Sequence, residues 1–253
     1  MLNIFEEVVA AQKENKKAVL CIVINKVGSG PQIPGSKMIV YEDGSIKGTI
    51  GGGNIELTVI EKAKELMRQS VAQKLTFDLE DDLSMACGGS MEVYIETINP
   101  LPDLFIFGAG HVGKAVAQFA YKVGFNIHLI DPRENIFSDD EKNLYHCIQE
   151  DYLKAIDSLN IHKDSYNIVV TPQHAFDEAL IAVLGKKEYK YLGMIGSTKK
   201  VALLKQRFLS ENILSSEQLE KIDMPIGIKI AAQTPEEIAI SILAKLIDVK
   251  NQH

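Results

Sequence analysis

The sequence predicts an α/β protein in two parts, a small α+β domain followed by a larger domain with a doubly wound parallel sheet. In the first part, strand-like segments that alternate apolar and polar residues predominate. From Leu104 onward, apolar strand-like segments alternate with helical ones, which is the order of β-α-β units in a parallel sheet. NPLP, residues 99–102, joins the two parts, and its prolines favour a stiff, extended connector. We therefore place the domains at residues 1–98 and 103–253.

The first domain is predicted to begin with a helix. Residues 2–13 carry apolar side chains at helical spacing, and the β-branched run AVLCIVINKV that follows is typical of a buried strand. Asp43-Gly44 predicts a tight hairpin between two strands, because this pair supplies the positive φ that such a turn needs. Three more elements complete the domain, namely the helix NIELTVIEKAKELMRQ and the strands AQKLTFDLE and SMEVYIETI.

The second domain alternates strands and helices up to a clearly marked last helix. Its predicted strands lie in LFIFGAG, FNIHLIDPR, NIVVTPQ and YKYLGMIGS. Residues 234–237, TPEE, combine an N-cap threonine, a first-turn proline and the glutamate of a capping box. The helix that follows, IAISILAKLI, has apolar residues on more than one face, which predicts a homodimer. The alternative is burial of this helix within one chain.

The composition indicates a folded globular protein and argues against two classes of partner. The chain has 253 residues, 46% of them hydrophobic, and a net charge of -7 with scattered Lys and Arg, so we expect no nucleic acid partner. No segment approaches the roughly 20 apolar residues that span a bilayer, and the N-terminus resembles neither a signal peptide nor an anchor. The three cysteines lie far apart, which is typical of a reducing compartment, and we predict a cytoplasmic protein.

A dinucleotide fingerprint opens the second domain. GAGHVG places Gly108, Gly110 and Gly113 at GxGxxG spacing between a predicted strand and a predicted helix, and the next strand closes on Asp131. This order predicts a Rossmann-like domain that binds a dinucleotide. Gly108 would allow the tight turn, Gly110 the approach of the pyrophosphate, and Gly113 close packing of helix and strand. The helix N-terminus would hold the phosphates.

The residues around the fingerprint bear on which nucleotide is bound. Asp131 would accept hydrogen bonds from ribose hydroxyls and favours NAD(H), whereas Arg133 leaves NADP open. His111 lies inside the fingerprint, where it would either face the cofactor or a partner domain, or touch solvent at the start of the helix. The alternative for the whole domain is a Rossmann-like fold with an empty phosphate site, kept for packing or dimerisation.

Seven collinear segments of the chain carry a resemblance to a known family. They are GSGPQIPGSKMIV, DGSIKGTIGGGNIE, CGGSMEVYIE, FGAGHVGKAVA, LIDPR, YLGMIGSTKK and PIGIKIAAQTPEEIAISILAKLI. With them the chain resembles the XdhC/CoxI family of accessory proteins for molybdenum hydroxylases such as xanthine dehydrogenase. The resemblance implies an N-terminal XdhC domain followed by a Rossmann domain. It also implies a non-catalytic chaperone that binds the molybdenum cofactor and helps to deliver it, sulfurated, to a hydroxylase of the xanthine dehydrogenase type, and it suggests a cysteine desulfurase as a further partner.

The glycine-rich stretch GTIGGGNIE, residues 48–56, gains a function from this resemblance. An anionic pterin cofactor would be held by backbone amides that glycines expose, so Gly51, Gly52 and Gly53 are candidates to cradle the molybdenum cofactor. Glu56 is the candidate acceptor for pterin nitrogens. From the residues alone, the favoured interpretation is a bulge followed by the start of a helix.

Cys87, in MACGGS, is a candidate contact for molybdenum or a relay for sulfur, because a thiolate is a soft ligand and CGG matches the family's motif. The alternative is a packed free cysteine. Cys21 lies in an apolar strand and is expected in the core, and Cys147 has no supporting context. Three positions depart from the family's pattern, where an arginine, a histidine and an arginine are usual: Gln32, Pro172 and Thr198. The last change leaves Lys199 and Lys200 beside it.

Two other functions stay open. The first is an NAD-dependent oxidoreductase in which His111 or His174 donates a proton, although His174 and Asp177, three residues apart, more often cap a turn than catalyse. The second is a redox-responsive binding module in which nucleotide occupancy sets the orientation of the domains. Retention of the molybdenum cofactor without turnover of a substrate would favour the chaperone over both.

Overall fold

The computed structural model describes residues 3–14, 16–28, 32–69, 71–78 and 89–252, apart from the side chains of Lys13, Arg68, Gln69 and His174. The chain divides into two compact units, Met1–Leu101 and Pro102–His253. Within the described ranges, each unit has a five-stranded sheet of its own.

In the described part of the first unit, an antiparallel sheet carries one helix on each face. Its elements are α1 (Ile4–Lys13), β1 (Ala18–Gly28), β2 (Lys37–Tyr41), β3 (Ile46–Gly48), α2 (Gly53–Gln69), β4 (Ala72–Asp78) and β5 (Gly89–Ile98). The strands lie in the order β3-β2-β1-β5-β4. The central strand, β1, pairs antiparallel with both β2 and β5.

The side chains of β1 alternate between two cores. Val19, Cys21 and Val23 pack with the apolar face of α2, whereas Ala18 and Leu20 pack with α1. Successive side chains of a strand point to opposite faces of the sheet, so a strand that is covered on both faces has to be apolar throughout. This explains why the predicted strand is a continuous apolar run.

The predicted hairpin between β2 and β3 is confirmed. Gly44 has a φ of 84°, and its N–H donates to the carbonyl oxygen of Tyr41 at 2.9 Å. Asp43 stabilises the turn, because its carboxylate accepts a hydrogen bond from the N–H of Ser45 at 2.9 Å. The chain passes from β3 directly into the glycine-rich stretch before α2, so the hairpin fixes where that stretch begins.

The second unit is a parallel sheet covered by helices. Its elements are β6 (Asp103–Phe107), α3 (His111–Lys122), β7 (Asn126–Ile130), α4 (Asp139–Leu144), β8 (His146–Ile148), α5 (Tyr152–Ser158), β9 (Tyr166–Val169), α6 (His174–Leu184), β10 (Tyr191–Met194), α7 (Thr198–Ser210), α8 (Ser216–Glu220) and α9 (Pro235–Asn251). The strands lie in the order β10-β9-β6-β7-β8, and every neighbouring pair is parallel.

Helices cover both faces of this sheet. The central strand, β6, is buried at all of its positions. Leu104 and Ile106 belong to a core shared with α3 and α9, whereas Phe105 and Phe107 belong to a core shared with α5, α6, α7 and α8. A parallel sheet with helices on both faces is doubly wound. The predicted fold class is therefore confirmed.

The last helix, α9, begins with the capping box that the sequence predicts. The hydroxyl of Thr234 accepts from the N–H of Glu237 at 3.2 Å, and the carboxylate of Glu237 accepts from the N–H of Thr234 at 3.0 Å. One face of α9 packs on α3 within the second unit, through Ala239, Ile242 and Leu246. This face has a partner inside the chain, as the alternative interpretation held, while Ile240 remains 52% exposed. The homodimer stays a prediction.

Four short elements of the second unit go beyond the prediction, namely α4, β8, α5 and α8. They contain between 3 and 7 residues each and lack the apolar run that predicted the equally short strands β9 and β10. Among the described residues, no helix combines the length and the apolar character that crossing a membrane requires.

Candidate functional site

The carboxyl ends of β6 and β9 form the candidate site of the second unit. The chain moves from β6 to β7 on one side of the sheet and later crosses to β9 on the other side, so β6 and β9 are neighbours at a topological switch point. In open parallel sheets, ligands bind in the crevice at such a point. The glycine segment, residues 108–113, follows β6 at this edge of the sheet.

The three fingerprint glycines have different surroundings. Gly108 has a φ of 116°, and a Cβ there would lie 2.5 Å from the carbonyl oxygen of Val170. A Cβ on Gly113 would lie 1.8 Å from the carbonyl oxygen of Gly108, so α3 approaches β6 only because this residue is glycine. A Cβ on Gly110 would meet no atom within 4 Å. The backbone at Gly110 therefore faces open space, which gives a diphosphate room to approach the amides.

Two helix N-termini beside the switch point have no hydrogen-bonding side chain at their caps. The cap residues are Gly110 for α3 and Gln173 for α6. In α4, α5 and α7, by contrast, the side chains of Ser138, Asp151 and Ser197 accept hydrogen bonds from first-turn amides. Because α3 follows β6 and α6 follows β9, their first turns flank the switch point. First-turn amides and the positive end of the helix dipole favour an anion there.

Asp131 lies at the end of β7 and is fully buried, with 0% of its surface exposed. Its Oδ2 accepts hydrogen bonds from the N–H of Ala109 at 2.8 Å and from the hydroxyl of Tyr152 at 3.3 Å. The guanidinium of Arg133 donates to Oδ1 and to Oδ2, both at 2.8 Å, and the N–H of Arg133 donates to Oδ1 at 3.1 Å. The carboxylate is therefore hydrogen-bonded on both oxygens by the chain itself.

Electrostatics keep this group ionised. Burial alone would raise the pKa of Asp131, but hydrogen bonds from Arg133 and from the N–H of Ala109 outweigh burial and lower the pKa. Burial raises the pKa of Tyr152, so its hydroxyl stays a donor. A ribose hydroxyl can reach Asp131 only by displacing part of this network. The glycine segment thus fits a diphosphate, whereas the predicted ribose acceptor is already engaged.

The other polar residues of this edge are arranged as structural groups. His111 is exposed at the start of α3, which matches the solvent-facing alternative, and the side chain of His174 lies outside the described residues. Asp177 is buried, and its Oδ1 accepts from the N–H of Thr171 at 3.1 Å and from the hydroxyl of Thr171 at 2.6 Å. These bonds hold the turn between β9 and α6, which gives Asp177 a capping role.

A cavity of about 300 Å³ opens between α6 and α7 at the carboxyl end of β10. Met194 and Leu204 contribute apolar surface, and Lys200 and Arg207 contribute positive charge. Arg207 pairs with Glu178 at 2.5 Å. Since the carboxyl ends of parallel strands share one edge of the sheet, this space adjoins the same edge as the glycine segment. The neighbouring Lys199 is exposed.

In the first unit, four glycines from the end of β3 to the start of α2 have positive φ, at 78°, 139°, 73° and 62°: Gly48, Gly51, Gly52 and Gly53. Glu56, in the first turn of α2, turns its side chain back onto this stretch. Its Oε1 accepts from the N–H of Ile50 at 3.1 Å, from the N–H of Gly52 at 2.9 Å and from the hydroxyl of Thr49. Glu56 therefore occupies the amides that the glycine stretch directs inward.

This arrangement combines a capped helix start with an open backbone surface. Burial would raise the pKa of Glu56, but the hydroxyl of Thr49 and the backbone N–H donors outweigh burial and lower the pKa. A Cβ on Gly52 or on Gly53 would meet no atom within 4 Å, so both present bare backbone to open space. The helix start agrees with the interpretation from the residues alone. A contact from Glu56 to a pterin would use its second oxygen, Oε2, or displace these bonds.

Cys87, the candidate for metal or sulfur chemistry, lies outside the described residues. Cys21 is buried, as predicted, and burial raises the pKa of its thiol to about 12. Cys147 is half-buried in β8, and burial raises the pKa of its thiol as well. Within the described ranges, no group of three or more His, Cys, Asp or Glu side chains is arranged to hold a metal ion.

The fold and the site define a two-unit α/β protein in which a Rossmann-type crevice accompanies a glycine-rich antiparallel unit. The sequence matches the model of the XdhC Rossmann domain over residues 104–246 and the model of the XdhC and CoxI family over residues 11–78. The chain belongs to the XdhC and CoxI family, which confirms the resemblance carried by the seven segments.

Three curated proteins are similar to the chain. An uncharacterized protein, YqeB of Escherichia coli (strain K12), is 33% identical over 99% of this chain and 47% of its own length. A probable xanthine dehydrogenase subunit of Bacillus subtilis (strain 168) is 27% identical over 63% of this chain and 46% of its own length. The molybdenum cofactor insertion chaperone PaoD of Escherichia coli (strain K12) is 22% identical over 96% of this chain and 86% of its own length. The chain thus spans about half the length of the first two.

A solved structure shares the fold. The crystal structure of a xanthine dehydrogenase from Bacillus halodurans superposes with a TM-score of 0.56 at 21% identity, over 100% of this chain and 97% of that one. At this identity the likeness supports the fold alone.

Proposed function

We propose that this chain is an accessory protein for a molybdenum hydroxylase of the xanthine dehydrogenase type and that it binds the molybdenum cofactor for insertion into that enzyme. The observation that carries the proposal is the similarity to a molybdenum cofactor insertion chaperone, which extends over 96% of this chain and 86% of that protein. The similarity to a probable xanthine dehydrogenase subunit supports the class of client.

The cargo site in this proposal is the glycine stretch before α2. A pterin with a phosphate and a dithiolene-bound molybdenum is anionic, and exposed backbone amides bind anions without a Cβ in the way. Gly51, Gly52 and Gly53 supply that backbone, and the open space beside Gly52 and Gly53 supports their role. An arriving phosphate would compete with Glu56 for the amides, while Oε2 of Glu56 would accept from pterin nitrogens.

The second unit binds a nicotinamide dinucleotide in the same proposal. The diphosphate would lie over Gly110, where the backbone faces open space, and would accept hydrogen bonds from the first turn of α3. Gly108 and Gly113 shape the turn that presents these amides, and the exposed His111 lies beside it. When bound, the nicotinamide supplies hydride-transfer chemistry. The nicotinamide half would lie in the cavity between α6 and α7, which adjoins the same edge of the sheet.

Sulfuration of the cofactor belongs to the proposal too. Cys87 would contact molybdenum or relay sulfur, and a cysteine desulfurase would be the source of that sulfur. The proposal also includes the homodimer and the cytoplasmic location that the sequence predicts. The mass of the purified chain, measured by light scattering, would test the dimer.

The decisive experiment uses the purified chain and molybdenum cofactor released from a donor molybdoenzyme. After gel filtration, we expect molybdenum to co-elute with the chain, and the loaded chain to activate a cofactor-free hydroxylase of the xanthine dehydrogenase type. Elemental analysis of the protein peak measures the first result, and hydroxylase activity measures the second. Molybdenum that elutes only as small molecules would contradict the carrier role.

An NAD-dependent oxidoreductase is the alternative, and the fingerprint at residues 108–113 is the observation that favours it. The bonds that Asp177 accepts from Thr171 give Asp177 a structural role, so the proton donors of this alternative stay His111 and His174. The same preparation separates the two functions. Retention of molybdenum without consumption of reduced nicotinamide supports the chaperone, whereas steady turnover of the nicotinamide with a small-molecule substrate supports the oxidoreductase.

A further inference from the structure

In the candidate dinucleotide site, Asp131 is the acidic residue at the position that usually binds the ribose, and it forms an ion pair with Arg133. Asp131 has no exposed surface, whereas the side chain of its partner Arg133 is 45% exposed. The N–H of Ala109 turns the carboxylate toward the glycine segment, and Arg133 covers both carboxylate oxygens. The group of this pair that a ligand meets is therefore the guanidinium.

Arg133 has donors to spare. A guanidinium carries five N–H groups in a fixed fork. Nε and one N–H of Nη2 donate to Asp131, and no acceptor for the other three is found in the part of the chain that the structure describes. At this end of the crevice, a ligand therefore meets the N–H donors of Arg133 and not the carboxylate oxygens of Asp131.

The segment that carries Arg133 is held in place. Lys114, on α3, donates to the carbonyl oxygen of Ile136 at 2.6 Å and to the carboxylate of Glu141 at 2.8 Å. Glu141 also forms the capping box of α4 with Ser138. These bonds tie the loop after β7 to the helix that begins at the fingerprint. The loop that follows the ion pair is therefore anchored to α3.

We propose that Arg133 selects a nucleotide with a phosphate group on its adenosine ribose, so that the site binds NADP(H) in preference to NAD(H). This inference rests on the dinucleotide site proposed above. The phosphate accepts from the remaining N–H groups of Arg133, and a planar guanidinium fork matches phosphate oxygens better than a point charge does. Asp131 acts as a positioning residue that holds the guanidinium from behind.

A nucleotide with two free ribose hydroxyls has a less favourable contact. To accept from those hydroxyls, Asp131 would have to give up charge-assisted bonds from Arg133, which are about twice as strong as bonds between neutral groups. The buried carboxylate would also have to become accessible. The expectation that Asp131 favours NAD(H) is therefore reversed in this proposal.

The test is isothermal titration calorimetry of the full chain with four probes: NADP⁺, NAD⁺, adenosine 2′,5′-bisphosphate and 5′-AMP. We expect the wild type to bind NADP⁺ at least about tenfold more tightly than NAD⁺, which corresponds to one good charge-assisted contact. We expect the bisphosphate to have a similar advantage over 5′-AMP, which differs from it only by the 2′-phosphate. Agreement between the two comparisons places the discrimination at the ribose and not at the nicotinamide.

Variants identify the residue responsible. Arg133→Gln is expected to lose the preference for NADP⁺ and to bind NAD⁺ more tightly than the wild type does, because Asp131 is released. Tyr152→Phe is the matched control, since it removes the 3.3 Å bond to the same carboxylate but keeps Arg133. We expect that variant to keep the wild-type preference. Thermal unfolding followed by circular dichroism checks that each variant is folded.

The outcomes distinguish a failure of this inference from a failure of the proposed dinucleotide site. If the wild type binds NAD⁺ as tightly as NADP⁺, or if Arg133→Gln keeps the preference, the inference is wrong while the dinucleotide site stands. If the wild type binds neither nucleotide at millimolar concentration, the site itself is wrong and the inference fails with it. The wild-type comparison decides the question even where a variant does not fold.

Discussion

A Cβ atom on Gly113 would lie 1.8 Å from the carbonyl oxygen of Gly108. Both partners belong to the backbone, so no flexible side chain can move aside, and α3 would have to lift away from β6. We expect Gly113→Ala to lower the free energy of unfolding by at least about 3 kcal/mol, the upper part of the range for overpacking. Urea unfolding followed by circular dichroism measures this change.

Gly110→Ala is the matched control for that prediction. A Cβ at Gly110 meets no atom within 4 Å, so we expect a loss of less than about 1 kcal/mol, in line with a changed N-cap residue. The same variant should weaken nucleotide binding, since the added methyl group lies where the diphosphate approaches. Equal losses of stability in the two variants would contradict the packing role of Gly113.

The fold could be predicted from the sequence wherever an element showed its period, formed a continuous apolar run or carried a clear cap. The strand β6 is a fully apolar run and α9 has a capping box, and both were predicted. The strand β8 was missed because three residues, one exposed and two half-buried, carry no apolar pattern. Such an element exists because a neighbouring strand, β7, offers it hydrogen bonds, and that neighbour is a property of the tertiary structure.

The site was predictable in its backbone and not in its side-chain partners. Glycine spacing located the turn at residues 108–113, because steric demands on the backbone follow directly from residue type. The pairings of Asp131 with Arg133 and of Glu56 with the glycine stretch were missed, since a carboxylate can face a ligand or its own chain with the same spacing. The contact of Glu56 could have been predicted, because a glutamate in the first turn of a helix often accepts hydrogen bonds from nearby backbone amides.

Removal of the Glu56 side chain should destabilise the first unit. In Glu56→Ala, the N–H groups of Ile50 and Gly52 lose their acceptor, and Ile50 is fully buried. We expect a loss of about 1–3 kcal/mol, the cost of leaving such groups unsatisfied. Glu61→Ala, on the exposed side of the same helix, is the control and should change stability by less than about 0.5 kcal/mol. Similar losses for both variants in urea unfolding would count against the capping role of Glu56.

The ion pair of Asp131 should make stability depend on pH in the acid range. Its pKa is lowered in the folded chain, so the unfolded chain takes up a proton first, near the ordinary aspartate value of about 3.9. The stabilisation is fully present above that value and is lost as the pH falls through the lowered pKa. We expect Asp131→Asn to be less stable than the wild type at pH 7 by about 2 kcal/mol, with the difference shrinking toward pH 3. Urea unfolding across this range measures the difference, and a constant gap would contradict the assignment.

Cys21 should resist alkylation in the folded protein. Its side chain is buried and the pKa of its thiol is about 12, so almost no thiolate forms at pH 8. We expect iodoacetamide to leave Cys21 unmodified under native conditions and to modify it fully in urea, as measured by mass spectrometry of tryptic peptides. Cys147 is half-buried and provides the internal comparison, since it should react faster than Cys21. Rapid native labelling of Cys21 would show that the β1 core opens easily.

The open backbone at Gly52 allows a test of cargo binding that is controlled for strain. Gly52 has a φ of 73° and Gly35 a φ of 93°, and a Cβ at either position meets no atom within 4 Å. Valine is therefore strained by the backbone alone in both places, at a cost of about 1–2 kcal/mol. The two residues differ in position, because Gly52 lies in the proposed cradle and Gly35 lies before β2.

We expect Gly52→Val and Gly35→Val to lose similar stability in urea unfolding but to differ in cargo retention. Gly52→Val places two methyl groups where an anionic pterin would approach the amides, so it should retain less than about one tenth of the molybdenum bound by the wild type, the effect of losing one strong contact. Gly35→Val should retain nearly all of it. Elemental analysis of the protein peak after gel filtration gives both values. If both variants retain as much molybdenum as the wild type, the cargo site lies away from the glycine stretch. If both variants lose molybdenum to the same extent, backbone strain alone accounts for the effect.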